Sequence, residues 1–230
     1  MLDTLDPEQR AAATLPDGPA LVLAPAGSGK TTTLIARLGV LLARGVAPDR
    51  IGVVTFNRAA AEELRARVRG QLSTLDGVER IEVRTLHAMG RQVLLDAGRV
   101  ARLVADRGPL LRRARREAGP DAAGLDLQRL DGELSAWKVE GRPPSLEAHP
   151  VLEAYRRMLA ERGALDMDDL VTHAVEVLGS DGRLRGRWQA RFSHLCVDEF
   201  QDVDAAQLRL IHLLAHPERN LWVVGDDDQP

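Results

Sequence analysis

The sequence predicts an α/β fold, a parallel sheet flanked by helices, with an all-helical subdomain inserted into it. Three observations lead there. Short apolar, β-rich runs alternate with helical patterns towards both ends of the chain. A glycine-rich turn joins the first such run to a long helical pattern. Between these ends, strand signals are missing over roughly a hundred residues, far more than a loop between elements spans.

Taken in order, the strands fall at Ala20–Ala24, Ile51–Thr55, Leu195–Val197 and Leu221–Val224, with a weaker one at Ile81–Arg84. Helical patterns at Lys30–Ala43, Arg58–Gly70 and Ala205–Ala215 follow most of them. Sheets of this kind bind ligands beyond the carboxyl ends of their strands. From about Thr85 to Phe192 the pattern is of helices broken at Gly119-Pro120 and Arg142-Pro143-Pro144. The expected division is a core of residues 1–92 and 190–230 around an inserted helical subdomain of residues 93–189.

At 230 residues and 44% hydrophobic composition, the chain can bury a sizeable core. No apolar run approaches the roughly 18–20 residues of a membrane span, and the acidic start MLDTLDPEQR is no secretory signal. Cys196 is the one cysteine, which excludes an internal disulfide and agrees with a reducing compartment. The expected address is the cytoplasm. A net charge of −3 does not announce a nucleic-acid binder, so any such contact must come from a local basic surface. Lys30 and Lys138 are the only lysines in a chain that otherwise uses arginine, which makes Lys30 conspicuous.

Lys30 closes the run Ala24-Pro25-Ala26-Gly27-Ser28-Gly29-Lys30-Thr31, between a strand and a helix. Glycines there let backbone amides and a helix N-terminus wrap a phosphate chain. Lys30 is expected to reach the β and γ phosphates, and the Thr31 hydroxyl to ligate Mg2+. Alanine stands at Ala24 where the general pattern has glycine. Farther on, His194-Leu195-Cys196-Val197-Asp198-Glu199 ends an apolar strand in two carboxylates. Beside a phosphate loop, Asp198 is suited to hold Mg2+ and Glu199 to polarise an attacking water.

These segments, with Asp198-Glu199-Phe200-Gln201-Asp202, then Val203-Asp204 and Gln207, and Gly225-Asp226-Asp227-Asp228-Gln229 after the last strand, resemble superfamily 1 DNA helicases of the UvrD/Rep/PcrA type. That resemblance implies a P-loop NTPase core of RecA-like form, ATP and Mg2+ as cofactors, and a motor on single-stranded DNA and single/double-strand junctions. It implies 3′-to-5′ movement, and service in repair or recombination with partner proteins of those pathways. It makes Gln229 a γ-phosphate sensor. Leu5-Asp6-Pro7-Glu8-Gln9 resembles the family's adenine-reading segment, with Gln9 on the base; Asp6, Pro7 and Gln9 also spell a helix capping box. Ala26, Gly27, Ser28, Gly29, Lys30, Thr31 and Thr32 would line the nucleotide, although relatives often carry at Thr32 an arginine that flanks adenine.

Thr55-Phe56-Asn57-Arg58-Ala59-Ala60-Ala61 and Thr85-Leu86-His87-Ala88 resemble the family's DNA-contacting segments. Phe56 would stack on a base and Thr55, Arg58, Thr85 and His87 would touch the backbone; the rival assignments are core packing for Phe56 and a helix start for His87. The acids of Leu165-Asp166-Met167-Asp168-Asp169-Leu170 suit a helix start and are read as structural. Arg112, Arg113, Arg115 and Arg116 fit a phosphate-tracking face or a solvated helix equally well, whereas Arg183, Arg185, Arg187 and Arg191 read as a surface loop. Trp137, Trp188, Trp222 and Cys196 are expected in packing roles. In relatives the last segment continues and a second motor domain brings arginine fingers, so residues 1–230 alone are expected to bind nucleotide, to bind DNA weakly and to turn over little. Two further readings stand beside the helicase motor: the motor of a helicase–nuclease subunit, and a regulatory nucleotide-binding module.

Overall fold

A computed structural model of the chain describes residues 2–99, 101–215 and 220–226. The first half runs α1 (Pro7–Ala13), β1 (Ala20–Leu23), α2 (Lys30–Ala43), β2 (Ile51–Thr55), α3 (Arg58–Gln71), β3 (Glu82–Thr85) and α4 (Leu86–Asp96). Next come β4 (Arg102–Val104), α5 (Gly108–Glu117), α6 (Leu127–Ser135), α7 (His149–Glu161), β5 (Ala164–Asp166) and α8 (Met167–Ser180). The chain then returns through α9 (Gly182–Arg191), β6 (His194–Val197), α10 (Ala205–Ala215) and β7 (Leu221–Gly225). It divides into two compact units, one of residues 1–89, 181–203 and 211–230, the other of residues 90–180 and 204–210.

The first unit is built on a five-stranded sheet in the order β1-β7-β6-β2-β3. Every pairing in it is parallel. All five strands therefore end on one edge, as the alternation of strand and helix predicts. The central strands β2 and β6 are buried along their whole length, which is why they read as unbroken apolar runs. Leu34, Ile35 and Leu38 of α2, Ala61 and Leu64 of α3, and Val53, Cys196 and Trp222 of the strands form one core. The Trp222 indole N–H donates to the Ala12 carbonyl at 3.1 Å, so this ring packs and is satisfied. Cys196 is fully buried, and burial pushes its thiol up to about 12, which makes it inert. Arg65 covers the edge strand β3 by donating to the Val83 carbonyl at 2.6 and 3.0 Å.

The segment expected to be a loop at Arg183–Arg191 is helix α9. Asp181 caps it, its carboxylate accepting from the Arg183 and Leu184 amides at 2.9 Å. Arg191 then lies over the Trp188 ring at 4.9 Å and pairs with Glu82 at 2.7 Å. The glycines that argued for a loop are outweighed by this cap and by the burial of Leu184 and Trp188.

The second unit is mostly helical but not all-helical: β4 and β5 pair in parallel, with Arg102, Leu103 and Val104 opposite Ala164, Leu165 and Asp166. Strands of three residues are too short for alternation to show in sequence. Leu111, Leu130, Leu134, Leu152, Tyr155 and Met158 pack between the helices. Against this core lies a charged cluster. Asp166 and Asp169 cap each other's backbone amides at 3.1 and 3.0 Å. The Lys138 ammonium bridges both carboxylates at 2.7 and 2.8 Å, and the Tyr155 hydroxyl donates to Asp166 at 2.9 Å. Arg107 joins through Asp168 at 2.9 Å and Asp131 at 3.1 Å. Burial works to raise the Asp166 carboxyl, yet the Lys138 ammonium outweighs it and holds the group below the usual carboxylate range. The acids are structural, as their capping chemistry predicts, and their cation is one of the chain's two lysines.

Removing one member of a buried ion cluster leaves the others uncompensated. Lys138→Met is therefore expected to destabilise the protein by about 3–5 kcal/mol in chemical denaturation. A change within ~1 kcal/mol would show that these charges are not held against one another.

Candidate functional site

The carboxyl edge of the sheet gathers the chemistry. Gly29 is the N-cap of α2 with φ 85°, in the left-handed region that glycine enters without strain. A Cβ there would also fall 2.7 Å from the Gln9 amide nitrogen, which donates to the Ser28 carbonyl at 2.8 Å. No side chain caps the N-terminus of α2, and the Ser28 hydroxyl is buried without a partner among the described residues. Helix amides and a hydroxyl left open together suit a bound anion.

The loop after β1 faces a cleft of about 530 Å3 lined by Ala26, Gly27, Gly29, Lys30, Thr31, Thr32, Phe56, Asn57, Ala60, Arg67, Glu199, Gln201, Asp202 and Asp226. These residues come from the ends of four strands and from α2 and α3, yet they line one surface. The Lys30 ammonium donates to Asp226 at 3.3 Å and to the Ala24 carbonyl at 3.3 Å. This pair is nearly closed to solvent, with side-chain exposures of 11% and 3%, so water does not screen it as it screens surface pairs.

Asp198 follows β6, is buried, and accepts the Glu199 amide at 3.1 Å. Burial pushes its carboxyl up to about 6, the Glu199 carboxylate pushes the same way, and the Glu199 N–H, Lys30 and Arg67 pull back only in part. Two carboxylates share the strand end with too little positive charge. A hard divalent cation taking oxygen ligands fits that deficit; Asp198 and the Thr31 hydroxyl would hold it. Glu199 reaches the cleft through the only positive φ, 54°, of any described non-glycine residue.

The other expected residues fall as follows. Gln9 completes the capping box with Asp6, and its amide is spent on the Ser28 carbonyl of the glycine-rich loop. Thr32 stands in the cleft, and Arg67 of α3 donates to its hydroxyl at 3.3 Å. Thr55 and Thr85 are register partners across β2 and β3, so the two segments expected to touch DNA start side by side. Thr55 is 1% exposed and its hydroxyl lacks a partner among the described residues, so its side chain is not on the surface. Thr85 accepts the Ala88 amide at 3.1 Å as the start of α4, where His87 sits half-buried. Phe56 is 46% exposed, which removes the core-packing alternative. Arg58 is exposed and pairs with Glu62 at 2.8 Å. Gln229 lies outside the described residues. In α5, Arg112, Arg113 and Arg116 are exposed, while Arg115 donates to the Leu125 carbonyl at 2.6 Å. Among the described residues, no helix is long and apolar enough to cross a membrane.

Sequence reasoning missed Arg67, and it gave Asp226 and Gln201 no role of their own although both stand in segments that carry the resemblance. Asp226 carried the same signal as Asp198, an acid directly after an apolar strand. Arg67 carried none, being one arginine among many on a helix.

Comparison with known proteins agrees with the sequence resemblance. Residues 5–116 and 122–230 match the family model of the UvrD/REP helicase N-terminal domain. The chain is 30% identical to the ATP-dependent DNA helicase Rep of Buchnera aphidicola over 98% of its own length and 38% of Rep. It is also 30% identical to the ATP-dependent DNA helicase PcrA of Staphylococcus aureus, over 100% of its length and 34% of PcrA. It thus spans little more than a third of these relatives.

The raised Asp198 carboxyl has a stability consequence. Unfolded, it ionises at its ordinary 3.8; folded, at about 6, so the fold binds this proton more tightly. The cost of holding the charge is absent below the unfolded value, grows as pH rises between the two, and is constant above about 6. Asp198→Asn keeps an oxygen for the Glu199 amide and removes the charge. It is expected to stabilise the nucleotide-free protein by roughly 2–3 kcal/mol at about pH 8 and by nothing at about pH 4. Equal melting temperatures at both pH values would contradict the assignment.

Proposed function

Because the chain belongs to the UvrD/REP helicase N-terminal domain family, we propose that it is the ATP-binding part of a DNA helicase that couples ATP hydrolysis to movement along single-stranded DNA. One observation carries this: the ends of β1, β6 and β7 bring Lys30, Glu199 and Asp226 to one cleft beside an uncapped helix N-terminus, with Asp198 buried next to Glu199. The names of the relatives, ATP-dependent DNA helicases, support the same reading.

The loop amides from Gly27 to Thr31 would hold the phosphates, and Lys30 would leave Asp226 to neutralise the β and γ groups. Mg2+, when bound, supplies charge that stabilises the transferring phosphoryl group. Asp198 and Thr31 would hold it. Glu199, on the cleft wall, would orient a water and take its proton. Arg67 adds a second cation to the same wall.

The DNA path belongs to the same proposal. Phe56 is exposed after β2, where a base can stack on it; Arg58 opens α3 two residues on, Thr85 ends the neighbouring strand β3, and His87 follows on α4. Phe56 also lines the nucleotide cleft, so strand grip and phosphate state meet at one ring. The division into an ATP-binding core of residues 1–92 and 190–230 and a DNA-gripping insertion of residues 93–189 is part of this reading. So are 3′-to-5′ polarity, single/double-strand junctions as substrate, a role in repair or recombination, and a cytoplasmic address.

The test is hydrolysis by the full-length protein. Single-stranded DNA is expected to stimulate ATP turnover, and Lys30→Ala to reduce it by at least ~100-fold. Phe56→Ala should weaken single-strand binding by about 1–3 kcal/mol. Turnover indifferent to DNA, or to Lys30, would refute the motor reading.

A further inference from the structure

We infer that Gln201 is a positioning residue for Glu199, and that it ties this carboxylate to the backbone at the end of β7. The inference rests on the ATPase reading above and adds to it the residue that aims its base.

The Gln201 carboxamide spans two groups. Its Nε2 donates to Glu199 Oε2 at 2.8 Å, and its Oε1 accepts the Asp226 amide at 2.9 Å. The chemistry of the partners fixes this orientation. A backbone N–H can only donate and an ionised carboxylate can only accept, so a flipped amide would lose both bonds. Glutamine is the side chain that serves both at once. A carboxylate would keep the Asp226 bond and repel Glu199; an aliphatic chain would keep neither.

Two backbone features agree. Glu199 holds a left-handed conformation, which is strained for a non-glycine residue and persists only where its surroundings enforce it. Gly225 lets the two segments approach. A Cβ there would lie 3.0 Å from Gln201 Oε1, 3.2 Å from its backbone nitrogen and 3.3 Å from Phe200 Cβ. A Cβ would press on these atoms, while Gly225 itself has no positive φ.

Asp226 thereby faces two ways. Its side chain holds Lys30 at 3.3 Å, and its main chain holds Gln201. The cation that greets the phosphates and the base that aims the water are linked through one residue at the end of β7. A nucleotide that draws Lys30 off Asp226 acts on the anchor of Glu199.

The experiment compares Gln201→Glu, Gln201→Ala and Glu199→Gln in the full-length protein, measuring DNA-stimulated ATP hydrolysis. Both Gln201 variants are expected to lower kcat by at least about tenfold, with KM for ATP changed by less than roughly threefold. In a Glu199→Gln background, changing Gln201 should cost nothing more, because its effect passes through the carboxylate already lost. Gln201→Glu is the decisive variant. It keeps the tether to Asp226, so wild-type kcat from it would reduce Gln201 to a strut and overturn the inference; it also decides the matter if Gln201→Ala does not fold. Losses that multiply in the double variant would overturn it as well. Should Glu199→Gln be inactive while both Gln201 variants turn over normally, this inference fails and the ATPase reading stands. A wild-type protein without ATP hydrolysis would remove both.

Discussion

An ammonium and a carboxylate meet at 3.3 Å across the ends of two neighbouring parallel strands, Lys30 after β1 and Asp226 after β7, and both are nearly out of reach of water. This contact exists only because the sheet is parallel. In such a sheet every strand delivers its carboxyl end to the same edge, so residues nearly two hundred positions apart in sequence become neighbours. Glu199 and Gln201 arrive there from the end of β6, Phe56 from β2, and the open amides from α2. A slip in the pairing of β1 with β7 would separate the loop from its partner and leave two buried charges facing nothing.

The edge is costly to maintain. Asp198 is buried next to Glu199 with its carboxyl raised to about 6, and Glu199 sits in a strained backbone conformation. The Ser28 hydroxyl has no partner among the described residues. A core built for stability would satisfy or remove such groups. These groups sit at the strand ends beside the cleft, while Trp222, Cys196 and the Lys138 cluster are well packed or well paired; a raised carboxyl and a strained acid there are the pattern of a site that takes a charged ligand. The two lysines illustrate the contrast. Lys138 is locked by Asp166 and Asp169 as part of the architecture, whereas Lys30 has one carboxylate and one carbonyl, partners that a phosphate can replace.

Much of this was legible in the residues. The strands β2, β6 and β7 show as apolar runs because they are central, the edge strand β1 shows as one although Leu21 and Leu23 are exposed, and α2 and α10 start and stop where their patterns do. The three-residue strands β4 and β5 could not be read, since alternation needs more length to show. Helix α9 was hidden by its glycines although Asp181 stood in place to cap it. At the cleft, the loop around Lys30 and the acids after β6 carry local spacing that reports their chemistry. Arg67 does not, since its importance comes from what it faces across the fold; Gln201 stands in the same acidic run, but its bond to the Asp226 amide shows only in the fold. Thr55 shows the reverse, since its place beside Phe56 in sequence says nothing of the burial of its side chain.

If the edge of this sheet is a triphosphate site, nucleotide binding must depend on the ammonium that now rests on Asp226. Calorimetric titration of the protein with a non-hydrolysable ATP analogue and Mg2+ tests this without asking for turnover or DNA. The account predicts saturable binding by the wild type that falls by at least about tenfold in Lys30→Ala. Absence of heat from the wild type, or equal affinity in the two proteins, would contradict it.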